Sequence, residues 1–339
     1  MTIETTQLIG HELIKSRMQI AIRSATLRNM ALPHILLTGA AGCGKTTTAS
    51  WISKLGNYSY MPVSPLSLKT KADVHTLLNK INYIGYNEKG DRISKIKPTI
   101  IFFDEVHQLP TIGQEILGIA MENYKLEINN SDEMLWIPYF TVIGATTDDG
   151  KLTKPFRDRF KMVFIYEIYD NNTMAEILSY HIHKNNLSIT DFAINNIVNR
   201  SRGIPRIMLN YVDNIRDYVI STNEELDTNY VITDEVCDKV FNSLHIDKYG
   251  LTMTEIKILK SLYYAKVPIG IDNLSIITNE SLKTIQNSIE PFLIKKEFMM
   301  RISKGRTITD KGLKYLEQEG HLKSVISNKI TIPSDYQRL

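Results

Sequence analysis

Through the first half of the chain, short continuous apolar runs alternate with stretches of helical periodicity. The runs at residues 34–38, 99–103 and 140–144 are rich in β-branched and aromatic residues and end at turn formers, which predicts strands buried on both faces of a parallel sheet. Residues 9–29, 45–55, 72–84 and 112–124 carry the 3.6-residue period of helices. Strand–helix alternation of this kind predicts a doubly wound α/β layer structure. Residues 126–128 and 135–137 alternate around Asn129-Asn130-Ser131-Asp132, the pattern of a β-hairpin. Past residue 170 the strand signal fades. Helical patterns at 172–185, 190–201, 205–221 and 233–243, with Asn172, Thr190 and Thr233 as expected caps, predict an all-helical unit. From Leu251 onward two helices (254–265 and 281–290) precede residues 298–302, a basic turn over 303–306, and residues 307–309. Helix, helix and a two-stranded ribbon is the layout of a winged helix. The expected division is 1–169, 170–247, 248–320, and a polar tail over 321–339.

Composition narrows the class. A chain of 339 residues suits about two to three domains. Its two cysteines, Cys43 and Cys237, can form neither a disulfide framework nor a four-ligand zinc site, so a cytoplasmic protein is expected. No apolar run approaches the roughly 18 residues of a membrane span, and residues 1–6 are polar without a signal-like core. Forty basic against 37 acidic residues leave a net charge of +3, so a nucleic-acid site must come from local clustering.

Candidate chemistry begins at Gly39-Ala40-Ala41-Gly42-Cys43-Gly44-Lys45-Thr46, a match to the phosphate-binding loop G-x-x-x-x-G-K-[ST]. Its place between an expected strand and an expected helix aims backbone N–H groups and a helix N-terminus at a phosphate. Lys45 would reach the β- and γ-phosphates of ATP, and Thr46 would offer its hydroxyl to Mg²⁺. The apolar run 100–103 delivers Asp104 and Glu105 at a strand's C-terminal end, Asp104 toward Mg²⁺ and Glu105 toward the attacking water. Gly144-Ala145-Thr146-Thr147 ends the next strand, with Thr146 as the polar sensor of the γ-phosphate. In Pro155-Phe156-Arg157-Asp158-Arg159-Phe160 an arginine is poorly placed for its own loop but would serve a neighbour's nucleotide in a ring. In Ser201-Arg202-Gly203-Ile204-Pro205-Arg206 the last arginine could close over the γ-phosphate.

Taken in order along the chain, these segments resemble the RuvB family, AAA+ motors that drive branch migration of Holliday junctions. The match extends to Asp104–Leu109, Ala120-Met121-Glu122-Asn123-Tyr124, Glu290-Pro291-Phe292-Leu293-Ile294 and Lys304-Gly305-Arg306-Thr307. The resemblance implies Lys45, Asp104, Glu105, Thr146 (sensor 1), Arg159 (the finger, in preference to Arg157) and Arg206 (sensor 2) as catalytic groups. It implies nucleotide contact by Leu8, Ile9, Gly10, the loop from Gly39 through Ala40, Ala41, Gly42, Cys43 and Gly44 to Thr46 and Thr47, then Tyr169, Pro205 and Arg206. It further implies a hexameric ring acting on branched or duplex DNA. Two departures stand out. The loop lacks the family's paired prolines, and the hairpin that contacts RuvA in the family is short, which counts against a standard RuvA partner.

Lys295, Lys296, Arg301, Lys304, Arg306 and Lys311 concentrate positive charge around the expected wing. Arg301, Lys304 and Arg306 are the expected phosphate contacts, without a base-reading set. Two other readings share the same ATP site: a clamp or helicase loader, and a nucleotide-gated winged-helix regulator.

Overall fold

Three apolar runs become the middle of a five-stranded parallel sheet. In this computed structural model, residues 8–28, 30–82, 85–86, 92–93, 98–127, 134–185, 187–222 and 231–322 are described. The sheet strands are β1 (Ile35–Gly39), β2 (Ser59–Val63), β3 (Thr99–Phe103), β4 (Phe140–Thr146) and β5 (Met162–Tyr166), in the order β2-β3-β4-β1-β5. β1, β3 and β4 are central, and their side chains alternate between two cores. Phe103, Phe140 and Val142 pack on one face with α3 (Lys71–Asn79) and α4 (Thr111–Asn123). Ile35, Leu37 and Ile143 pack on the other with α1 (Glu12–Arg28) and α2 (Lys45–Leu55). Burial on both faces is why these runs are continuously apolar. The two edge strands escaped the sequence reading. β2 carries Pro62, tolerable where one side of the strand has no partner, and β5 alternates buried and exposed positions.

His34 ties the two layers together. Its Nδ1 accepts from the Val142 amide and its Nε2 donates to the Met121 carbonyl, each at 2.9 Å, so the buried ring is neutral. Burial pushes its pKa down to about 4. The unfolded chain takes up a proton near 6.5 that the folded chain refuses, so stability falls as pH drops from 6.5 toward 4 and levels off below. Between pH 7.5 and 5 this group is expected to remove roughly 2 kcal/mol from the stability of this domain. Urea unfolding at the two pH values checks it, with His34→Gln expected to flatten the difference.

The chain forms two compact units, one of residues Met1–Ser188 with Gly203–Asp213, the other of Ile189–Arg202 with Asn214–Leu339. The expected hairpin is present as paired strands Lys125–Glu127 and Met134–Trp136; its tip lies outside the described residues. The helices Asn171–Lys184, Asp191–Arg200, Pro205–Thr222 and Asp234–Ser243 follow the expected pattern. Thr190 and Thr233 cap as expected, but the first of these helices is capped by Asp170 rather than Asn172, its carboxylate accepting from the Thr173 amide. In the second unit, helices Met253–Ala265, Ile271–Thr278 and Asp310–Gln318 pack with residues 282–295 and the ribbon Met299–Ile302/Gly305–Ile308 around Leu259, Leu293, Phe298 and Leu316. Among the described residues no helix is long and apolar enough to cross a membrane.

Candidate functional site

The end of β1 turns into α2 through a loop that only glycine can follow. Gly42 and Gly44 hold φ of 80° and 90°, and a Cβ on Gly42 would lie 2.8 Å from that of Arg206. The loop, Lys45, Thr46, Thr47, Asp104, Glu105, Pro205, Arg206, Leu209 and Asn210 line a cleft of about 460 Å³. Lys45 Nζ donates to the carbonyls of Gly39 and Ala40 at 2.7 and 2.8 Å. Burial lowers its pKa, and Glu105 and Asp104 work against that shift. Thr46 Oγ1 lies 3.4 Å from Asp104 Oδ2. A hydroxyl and a carboxylate facing one another beside a phosphate cradle suit a hard divalent cation such as Mg²⁺. Cys43 is buried, which raises its thiol pKa.

The residues expected to contact the base are also ordered by packing and hydrogen bonds. Leu8 and Ile9 are buried, and a Cβ on Gly10 would lie 2.8 Å from the Tyr169 ring. Tyr169 donates to the Cys43 carbonyl at 3.2 Å, its hydroxyl is 2.5 Å from His11 Nε2, and its amide donates to the Gly203 carbonyl. His11 was not singled out by sequence; it sits at φ 55° with its pKa lowered by burial.

Glu105 stands in the left-handed region, φ 51°, where the chain leaves β3. Its Oε2 accepts from the Thr147 amide and hydroxyl at 3.1 and 2.9 Å. His107 Nδ1 lies 3.1 Å from the same oxygen and 2.9 Å from Thr146 Oγ1. Thr146, the expected sensor, stands beside His107 and not on Glu105 itself. Successive side chains leaving β4 face opposite ways, so Thr147 meets Glu105 while the buried Thr146 hydroxyl touches His107 and the Asp148 amide.

The two arginines of the finger segment differ. Arg157 pairs with Asp149 at 2.8 Å in an exposed contact. Arg159 lies across α4: Nε donates to the Gly118 carbonyl and one amino group to Glu122, both at 2.8 Å, and the other amino group to the Pro155 carbonyl. A Cβ on Gly118 would come within 3.2 Å of the Arg159 side chain. Gly118 and Glu122, four apart on one helix face, were the available signal for this seat.

The winged domain overturns one expectation. Arg306 is not on the turn but in the second strand, opposite Arg301, and its guanidinium forms a buried two-pronged pair with Glu290 at 2.9 and 3.0 Å. It holds the ribbon to the preceding helix and is not a phosphate contact. Lys304 and Arg301 remain exposed; Lys311 pairs with Glu297 and Lys296 is half-buried near the Phe292 ring. Arg306→Ala strands a buried carboxylate and is expected to destabilise this domain by about 3–5 kcal/mol. Amide hydrogen exchange over residues 298–308 reads that loss, and Glu290→Leu/Arg306→Met is expected to recover most of it.

A strand–loop–helix phosphate cradle, an acidic pair on the adjacent strand and a helical lid followed by a winged helix define an AAA+ P-loop NTPase with a DNA-binding-type appendage. Three family descriptions match in order: the Holliday junction DNA helicase RuvB P-loop domain over residues 3–166, the RuvB AAA lid domain over 169–247, and the RuvB C-terminal winged helix domain over 248–317. The chain belongs to the RuvB family. It is 33% identical over 318 residues to the Holliday junction branch migration complex subunit RuvB of Streptococcus agalactiae, covering 91% of this chain and 90% of the relative. It is likewise 33% identical over 314 residues to that of Wolbachia pipientis, with 91% and 90% covered. Among solved structures, the Thermotoga maritima RuvB Holliday junction branch migration motor superposes with a TM-score of 0.73 at 29% identity, covering 91% of this chain and 95% of that one.

Proposed function

We propose that this protein hydrolyses ATP with Mg²⁺ to pump duplex DNA through branched junctions, working as a hexameric ring. The observation that carries the reading is the convergence of Lys45, Thr46, Asp104, Glu105 and Arg206 on one cleft, in a chain with the RuvB domains in order. Backbone amides at the start of α2 and the Lys45 ammonium hold the β- and γ-phosphates. Thr46 and Asp104 would hold Mg²⁺, which would supply neutralisation of phosphate charge there. Glu105 orients the attacking water, its carboxylate aimed by Thr147 and His107. Leu8, Ile9, Gly10 and Tyr169 enclose the base. Arg206 senses the γ-phosphate, and Arg159, seated on α4, serves the nucleotide of the adjoining subunit. Lys304 and Arg301 supply sequence-independent contact with DNA phosphates. The loader and regulator readings give way to the family match.

Synthetic four-way junctions labelled on one arm test this. ATP-dependent conversion to duplex products, with or without an accessory junction-binding protein, is the expected result. ATP hydrolysis with no junction movement under either condition, accompanied by loading of a clamp or helicase ring, would overturn it in favour of a loader.

A further inference from the structure

Arg202 has no part in the site above, yet it is among the most completely bonded side chains in the second unit. It follows the helix Asp191–Arg200 at φ 59°, a strained conformation for a non-glycine residue that persists only when its surroundings enforce it. Nε and Nη2 both donate to the Gly250 carbonyl, at 3.0 and 2.6 Å. Nη1 and Nη2 grip the two oxygens of Glu255 at 2.6 and 2.7 Å. The guanidinium carbon lies 3.9 Å from the centre of the Phe292 ring. Glu255 is 2% exposed, and its Oε2 also accepts from the Thr252 amide and hydroxyl, capping the first winged-helix helix. Beside this pair the two segments touch backbone to backbone: a Cβ on Gly250 would lie 2.5 Å from the Arg200 carbonyl oxygen.

A buried ion pair is poor evidence for stability, since desolvation offsets most of its attraction. In some proteins such a pair instead fixes the register of the parts it joins, and a fully satisfied, geometrically exacting pair is suited to that role. The parts here are the end of a lid helix and the first and third helical segments of the winged domain. Arg202 also immediately precedes Gly203, Ile204, Pro205 and Arg206, the segment that carries the γ-phosphate sensor of the proposed site.

We propose that Arg202 is a positioning residue for the motor: it locks this part of the lid to the winged-helix domain as one rigid arm, so that a movement begun at Arg206 is delivered to DNA rather than absorbed at the domain junction. The consequence for DNA movement rests on the motor reading; the rigidity does not.

Two readouts test the lock. Spin labels at Lys239→Cys, on the lid helix Asp234–Ser243, and Lys314→Cys, on the winged-helix domain, report the distance across the joint, the native thiols of Cys43 and Cys237 being buried. A single narrow distance, the same without nucleotide, with ADP and with a non-hydrolysable ATP analogue, is expected in the otherwise unaltered chain. Arg202→Ala is expected to broaden it at least two-fold. In the chain without labels, Arg202→Ala is expected to keep ATP hydrolysis and junction affinity within two-fold while junction movement per ATP consumed falls at least ten-fold. Arg202→Lys, which keeps an ammonium for Glu255 but loses the fork onto Gly250, should fall between; if Arg202→Ala does not fold, this variant carries the test. A distance that shifts with nucleotide in the parent, or a width and coupling ratio unchanged by the substitutions, would overturn the proposal. Should the parent itself move no junction, the motor reading fails while the distance measurement still judges the lock.

Discussion

Arg159→Ala is expected to lower steady-state ATP hydrolysis by about 10³–10⁵-fold while nucleotide binding to the isolated subunit stays within two-fold. The asymmetry follows from where the side chain is seated. Its guanidinium is anchored on α4 by Gly118 and Glu122 and donates to the Pro155 carbonyl of its own segment, with no hydrogen bond to its own phosphate loop. In the proposed ring, removing it leaves the cradle intact and takes positive charge away from the transition state formed on the adjoining subunit. Three donors spent on fixed acceptors hold the guanidinium in one plane, so little conformational entropy is lost when a phosphate arrives. Equilibrium binding of a fluorescent nucleotide beside a phosphate-release assay separates the two effects. Equal losses in binding and turnover would place Arg159 in its own subunit's site.

Glu105→Gln is expected to slow hydrolysis by about 10²–10⁴-fold and to leave ATP bound. The carboxylate lines the same cleft as Lys45, and Thr147 and His107 fix one of its oxygens. The amide of glutamine preserves the shape and can still bond Thr147, but it is a far weaker acceptor for a water proton. Rings trapped with ATP in every site are therefore expected, visible as stable assemblies that bind junction DNA without moving it. A single-turnover measurement distinguishes this from slow product release, because the chemical step itself must slow.

Local signals were legible in the chain and contacts between distant segments were not. The phosphate loop and the acidic pair are contiguous motifs, and the strands that carry them are buried on both faces, so continuous apolar runs announced them. The edge strands Ser59–Val63 and Met162–Tyr166 have weaker patterns because one side of each has no partner among the described residues. Helices Ile271–Thr278 and Asp310–Gln318 were also missed; each is short and takes its place from packing on the winged-helix core. Thr147 was passed over for Thr146 because a sequence shows two adjacent threonines but not which faces Glu105. The place of Arg306 is hidden from the sequence for a related reason. Charge beside a glycine looks like a solvated turn, but the tight Ser303-Lys304 connection puts residue 306 in the strand, on the face that meets Glu290. Nothing local in the sequence links Glu290 to Arg306, or Arg202 to Glu255.

In the proposed ring each nucleotide is held by one subunit and completed by the next. Mixing Lys45→Ala subunits, which cannot grip ATP but keep Arg159, with Arg159→Ala subunits, which grip ATP but lack the finger, puts this to the test. In an equal mixture about one site in four combines an intact cradle with an intact finger, so hydrolysis well above that of either variant alone is expected. A mixture that assembles into rings on DNA yet hydrolyses no faster than the separate variants would contradict it.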